Sequence, residues 1–353
     1  LPATLDIAVI GAGVIGREHA TRIARNPRSC VAGVVDPTTG AAVWAEQHGF
    51  PHFPSVRQML ADRSLSGAIV ATPTPLHVSV ALELLDAGIP LLVEKPMAAD
   101  LPEAATLVRA AEHFGQPVLA GYHRRHSPIV QAAQRYIHAG NLGRIVAVSG
   151  AALFHKPQGY FDVPWRTTPG GGPILINLAH EIDTLRYLAG EIVATQAVSS
   201  HRMRSLPVED SAAAMLEFEC GALATLVVSD CTVSPWSWEQ TAGENPLYAR
   251  EPSENSLLVA GERGSLALPS LRWWRQDGER SWSAPFQTGQ IEIQPADPLN
   301  RQLDHFLDVI ERRVAPINPP PDAFRSLAAT LAIHEAITTG SRVTPRSIDD
   351  YRP

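Results

Sequence analysis

The hexapeptide Gly11-Ala12-Gly13-Val14-Ile15-Gly16 follows the apolar run LDIAVI and opens a stretch with helical spacing. In that context G-x-G-x-x-G is a phosphate-binding turn. Gly11 allows the tight turn, Gly13 lets the backbone approach a pyrophosphate, and Gly16 lets helix and strand pack closely. Val14 and Ile15 begin a helix whose unpaired N–H groups and positive dipole end face the phosphates. Asp36 closes the next apolar run, CVAGVVD, where an acid accepts hydrogen bonds from an adenine-side ribose. Its charge would repel a 2′-phosphate and so favours NAD over NADP, while Thr38 and Thr39 keep NADP open.

Three more stretches concentrate polar chemistry. In ATPTPLHVS, Thr72 and Pro73 end an apolar run at the edge where open α/β sheets bind ligands, and His77 comes early in the next helix. There His77 either caps and packs that helix or faces the ligand crevice. In LLVEKPMA a buried-strand signal stops at Glu94 and Lys95, and Pro96 forbids further ladder pairing. Ionised groups are costly in such a strand, so the pair is either a solvated strand end or a working site. His123, Arg124, Arg125 and His126 crowd into GYHRRHSP. They form a solvated turn or, facing a cleft, hold hydroxyls or a carboxylate of a substrate.

The elements that must position these groups alternate over the first 122 residues. Strand-like LDIAVI, CVAGVV, GAIVAT, PLLVE and PVLAGY are separated by amphipathic helical patterns, several ending in Gly. This order predicts βαβ units and a parallel sheet covered on both faces, an α/β Rossmann domain over 1–122. From 123 to 353 the pattern changes to an α+β domain with a large, mostly antiparallel open sheet. A helix is expected near Ser127–Ala139, a strand at RIVAVSGAALF, and hairpins at SAAAMLEFE/ALATLVVSD and LLVAGERGSLAL. A helix over 172–190 interrupts the strands, two more close the chain, and 232–256 reads as a lid or interface excursion.

Composition bounds the function. The chain has 353 residues, 45% apolar and 18% charged, with net charge −7, which argues against non-specific nucleic-acid binding. No run approaches the ~20 apolar residues of a membrane span. The start, LPATLDIAVIG, enters a strand at once and is not expected to be a signal peptide. Cys30, Cys220 and Cys231 lack metal or disulfide-framework spacing, so neither a metal site nor a disulfide framework is expected, and a reducing cytoplasm is.

GAGVIG, VVD, ATPTPLH, EKP, GYHRRHSP, VPWR and GGGPILINLAHEID occur together in this order. In that combination the chain resembles the Gfo/Idh/MocA oxidoreductases over nearly its full length. The resemblance implies a nicotinamide-binding domain followed by a domain for substrate binding and oligomerisation. It implies that Lys95 is catalytic and reaches the substrate, that Glu94 helps fix the cofactor side, and that Pro96 sets a sharp, often cis, turn. Trp165 and Arg166 would lie near the cofactor, with core packing the other reading of Trp165.

Oxidising a secondary alcohol also requires a proton acceptor, and His180 is suited to that task. It shares a helix face with Asn177 and Asp183, which are expected to bind substrate together with Lys95, His123 and Arg124. Polyol-oxidising relatives carry Asp-x-x-x-His; here Ile176 replaces the Asp. Either Asn177 substitutes for it or the pocket takes a less polar substrate. The expected function is an NAD(P)-dependent dehydrogenase of a sugar, cyclitol or other polyol, acting as a homodimer or homotetramer. Alternatives are a non-catalytic sensor of this fold, a cofactor-retaining oxidoreductase, and a dehydrogenase of an acidic cyclic diol.

Overall fold

The computed structural model describes residues 4–351; the terminal residues 1–3 and 352–353 included in the two expected domains lie outside it. The first half is built as β1 (Leu5–Ile10), α1 (Val14–Arg25), β2 (Ser29–Val35), α2 (Thr39–Gln47), β3 (His52–Phe53), α3 (Val56–Asp62), β4 (Gly67–Val70), α4 (His77–Asp86), β5 (Leu91–Val93), α5 (Leu101–Phe114) and β6 (Val118–Ala120). All strand pairs are parallel, in the order β3-β2-β1-β4-β5-β6. Every residue of β4 and β5 is buried, as expected for strands covered on both faces. Helix α5 shows why the boundaries fall where they do. The Asp100 carboxylate accepts the Glu103 N–H at its start, and Gly115 ends it at φ +63°. The short β3, which has only two residues, was not legible as a strand.

The second half runs α6 (Pro128–His138), β7 (Ile145–Leu153), α7 (Ala179–Ala189), β8 (Ile192–Ser200), β9 (Ser211–Phe218), β10 (Leu223–Ser229), α8 (Trp238–Ala242), β11 (Leu257–Gly261), β12 (Gly264–Leu268), β13 (Arg272–Arg275), β14 (Gln287–Gln290), α9 (Pro298–Ile310) and α10 (Pro320–Thr339). Its sheet has eight strands in the order β14-β13-β12-β11-β7-β10-β9-β8. The two expected hairpins are β9–β10 and β11–β12, both antiparallel, while β10 pairs parallel to β7. Buried and exposed residues alternate along β9, so one face packs and the other does not. The packed face meets Ile129 and Val130 of α6 and Ile182 and Leu185 of α7. The other face exposes Val198, Met215, Leu223, Val227 and Leu258.

Contacts divide the chain into two compact units, but not at one point. The first comprises the chain to His123, Leu299–Leu327 and the stretch from Ile348; the second comprises Arg124–Pro298 and Ala328–Ser347. The single boundary expected between residues 122 and 123 therefore omits a return. Its cause is apolar: Leu303, Phe306 and Leu307 of α9 are buried with Ile7, Val9, Ile69 and Leu92 of the parallel sheet. Among the described residues, no helix is long and apolar enough to cross a membrane.

Candidate active site

In the first unit, the glycine turn divides its labour. Gly11 has φ +99°, and a Cβ there would stand 2.5 Å from the Ala71 carbonyl oxygen. At Gly16 a Cβ would lie 1.9 Å from the Gly11 oxygen. Those two glycines are demanded by the fold. Gly13 is not, since a Cβ there would meet nothing within 4 Å. It is the N-cap of α1, has no capping side chain, and is followed by the exposed Val14. Nearby, Thr72 Oγ1 is buried with no hydrogen-bond partner among the described residues, at the end of the β4 run. An uncapped helix start, an open glycine and an orphaned hydroxyl fit a dinucleotide.

Asp36 ties this turn together. Its Oδ2 accepts the Ala12 N–H at 2.9 Å, and its Oδ1 accepts the Thr38 N–H at 2.9 Å and the Thr38 hydroxyl at 2.6 Å. Burial pushes this carboxyl up, but the bonds from Thr38 and Ala12 outweigh it and hold it below the ordinary carboxylate value. Each carboxylate oxygen takes about two hydrogen bonds, so Oδ2 keeps one acceptor position. Thr38 is committed to Asp36 and to capping α2 through Ala41.

The charged turn after β5 is not a solvated strand end. Glu94 is 7% exposed; its Oε1 lies 2.8 Å from His19 Nε2, and its Oε2 accepts the Lys95 N–H at 3.1 Å. Burial pushes the carboxyl up, yet the bond and charge of His19, with the charges of His123 and Lys95, hold it below its ordinary value. The Lys95–Pro96 peptide is cis, and Lys95 is half-buried. His77 corrects an expectation. Its Nε2 is 2.8 Å from the Thr72 oxygen and its Nδ1 is 2.9 Å from the Pro96 oxygen. With both ring nitrogens against backbone carbonyls, it has no polar atom left for a cofactor, and instead joins two loops. His19 is the residue the sequence reading missed; its place on the buried face of α1 with Ala20 and Ile23 was the available signal.

In the second unit, α7 is preceded by a π-turn, Ile174–Leu178, which contains Ile176 and Asn177. Such single turns recur at functional sites. His180 is buried as the second residue of α7, and Asn177 Oδ1 is buried without a partner among the described residues. Two expected substrate residues are otherwise employed. Asp183 is fully buried and holds Arg125 in a bidentate pair at 2.7 and 2.9 Å, with Arg125 5.1 Å over the Tyr187 ring. Arg124 is also buried, paired at 2.6 Å with Glu181 and 2.7 Å with Glu239, and stands 5.3 Å over Trp238. A buried charge needs such partners, which removes both residues from the set open to substrate. His123, half-buried, belongs by contacts to the first unit, and His126 is buried.

Glu239 lies in the stretch expected as a lid. That stretch is anchored, since Glu244 also accepts from Ser127 Oγ at 2.5 Å and from Trp238 Nε1 at 2.9 Å. Trp165 is 54% exposed, so it is not a core residue. Arg166 Nη1 donates to the Tyr160 oxygen at 2.9 Å, and its guanidinium sits 4.0 Å over the Tyr160 ring.

A family model described as oxidoreductase family, NAD-binding Rossmann fold, matches residues 5–122, and the GFO/IDH/MocA C-terminal domain matches 130–267. The chain belongs to the Gfo/Idh/MocA oxidoreductase family. It is 30% identical to an inositol 2-dehydrogenase of Arthrobacter sp. (strain FB24) over 64% of this chain and 67% of that one. It is 27% identical to the 1,5-anhydro-D-fructose reductase of Ensifer adhaerens over 94% and 96%. Among solved structures, the WlbA dehydrogenase from Bordetella pertussis, in complex with NADH and UDP-GlcNAcA, superposes with TM-score 0.77 at 22% identity, covering 97% and 98%. Levoglucosan dehydrogenase, complexed with NADH and levoglucosan, gives 0.79 at 20%, covering 98% and 100%. At those identities the likeness is one of fold. This Gfo/Idh/MocA protein thus carries an NAD(P)-binding Rossmann domain and is an oxidoreductase.

Proposed function

We propose that the chain is an NAD-dependent dehydrogenase moving hydride between the nicotinamide and a secondary alcohol or ketone of a sugar, cyclitol or related polyol. Bound NAD supplies the hydride acceptor. The carrying observation is the buried Glu94–His19 pair, which fixes the turn bearing Lys95 at the carboxyl edge of the parallel sheet that also bears the glycine turn. Gly11, Gly13, Val14, Ile15 and Gly16 bind the pyrophosphate. The remaining acceptor position of Asp36 takes a ribose hydroxyl and disfavours NADP. Thr72 and Pro73, with Trp165 and Arg166, serve the cofactor. Lys95 donates a hydrogen bond to the reacting oxygen and stabilises its alkoxide character. His180 accepts the hydroxyl proton in the oxidative direction and returns it in the reductive one. Asn177 and His123 contact the substrate.

The acidic cyclic diol is disfavoured, because Arg124 and Arg125 are taken by three carboxylates. The apolar open face of the second sheet supports a homodimer or homotetramer, which light scattering tests. The functional test is absorbance at the nicotinamide band on mixing NAD with a panel of polyols. Absence of any change in either direction, with NADH bound normally, would favour a sensor. NAD carried through purification would favour a cofactor-retaining enzyme.

A further inference from the structure

Along the helix bearing His180, Asn177, Glu181 and Thr184 succeed one another one turn apart and share a face. Each presents an atom with no hydrogen-bond partner among the described residues: Asn177 Oδ1, Glu181 Oε2 and Thr184 Oγ1. Glu181 is 8% and Thr184 2% exposed. Proteins leave few such atoms unmatched, and three on one helix face is a concentration. Asn177 Oδ1 and Glu181 Oε2 are acceptors, and the Thr184 hydroxyl accepts as well, so their complement is a group rich in hydrogen-bond donors. Four residues of helix span about 6 Å, close to the width of a six-membered polyol ring.

Resting on the dehydrogenase reading above, we propose that Glu181, with Asn177, determines specificity by accepting hydrogen bonds from hydroxyls of a neutral polyhydroxylated substrate, so supplying the acceptors Ile176 lacks. Thr184 receives either a further hydroxyl or an ordered water. The charge of the site supports neutrality. Arg124 faces both Glu181 and Glu239, so the cluster holds one positive and two negative charges and repels a substrate carboxylate. Burial is the largest influence on the Glu181 carboxyl; against the pull of Arg124, it and the Glu239 charge raise the carboxyl above its ordinary value. That shift fits an oxygen awaiting a donor.

The test measures kcat and KM with myo-inositol, glucose, their monodeoxy analogues and glucuronate, in the wild type, Glu181→Gln, Glu239→Gln and Thr184→Val, with the melting temperature of each. Losing one good hydrogen bond to a charged acceptor raises KM about tenfold or more in Glu181→Gln. The same variant should narrow the preference for glucose over glucuronate by a similar factor, and one monodeoxy analogue should lose affinity in the wild type but not in Glu181→Gln. Thr184→Val, which touches no ion pair, should raise KM a few-fold if a substrate hydroxyl is its partner; unchanged KM with a lowered melting temperature assigns it a water. Equal effects of Glu181→Gln and Glu239→Gln would mean that the change runs through Arg124, and would overturn the proposal. Should Glu181→Gln fail to fold, insensitivity of the wild type to every single deoxygenation overturns it instead. A wild type that turns over only simple alcohols preserves the dehydrogenase reading and refutes this one. No nicotinamide-linked turnover at all, with polyols still bound more weakly by Glu181→Gln in calorimetry, does the reverse.

Discussion

The turns EKP and HRRH each follow a strand of the parallel sheet in sequence, and each packs ionisable groups into three or four residues. In the first, one carboxylate is buried, its oxygens taken by a histidine and by the next residue's N–H. In the second, two arginines are buried against three carboxylates drawn from α7 and α8, 57 to 115 residues away. The first arrangement positions a turn; the second neutralises cations to hold helices. Two charge-rich stretches that look alike in the sequence therefore do different physical work, and the location of the counter-charges separates them.

Removing His180 is the strongest way to sharpen that separation. His180→Ala should lower turnover by about 10²–10⁴, the range for a positioned proton acceptor, while NADH affinity stays within a few-fold. Full turnover at neutral pH would place His180 with the residues that only hold α7. Asp183→Ala should act in the opposite currency. It removes the bidentate carboxylate from the buried Arg125, which costs about 3–5 kcal/mol of stability, read as a drop in unfolding free energy in urea. A variant as stable as the wild type would show that water reaches Arg125 and that the pair is dispensable.

The EKP turn predicts a catalytic effect of intermediate size. Lys95→Met keeps side-chain length and loses charge, so turnover should fall about 10²–10³, as when one oxyanion donor is lost. NADH binding should change only a few-fold, since the contribution belongs to the transition state. Normal turnover in Lys95→Met would return the turn to the structural class with Arg124.

What could be read from the sequence follows the same line. The glycine turn, Asp36 and the strand-helix alternation depend on local spacing, and a parallel sheet and both hairpins appeared as expected, with β3 the strand not foreseen. Partners distant in sequence did not. Nothing local to Arg124 announces Glu239, nor does His77 announce the Pro96 carbonyl that occupies its ring. Short edge strands such as β14, whose residues are mostly exposed, carry no alternation to detect. The return of α9 to the first core was invisible because an amphipathic helix does not say which sheet it covers.

Cofactor choice offers a smaller test. Asp36→Ser removes the charge facing a 2′-phosphate, and should improve NADPH affinity relative to NADH by about tenfold, equivalent to about 1.4 kcal/mol. Tighter binding of NADPH than NADH by the unaltered protein would already sink the assignment. Because Asp36 also accepts the Ala12 N–H, NADH affinity should weaken in the same variant.

The gentlest effect is one of pH. The Glu94 carboxyl sits below its ordinary value of 4.5 because His19, Lys95 and His123 together outweigh burial. Above that ordinary value the carboxyl is ionised in folded and unfolded chains alike, and its stabilisation is fully present. As pH falls below it, the unfolded chain takes up a proton first, so the contribution fades and is gone once pH passes the lower folded value. Melting temperature followed downward from pH 6 should therefore decline with an acid component that Glu94→Gln lacks, and the two proteins should converge at the acid end. Arg124 and Arg125 cannot lose their protons in this range, so any acid response of their network must come from the carboxylates. Identical acid slopes in the wild type and Glu94→Gln would mean that the Glu94–His19 contact contributes no ionic stabilisation. The turn bearing Lys95 would then be held by backbone geometry alone.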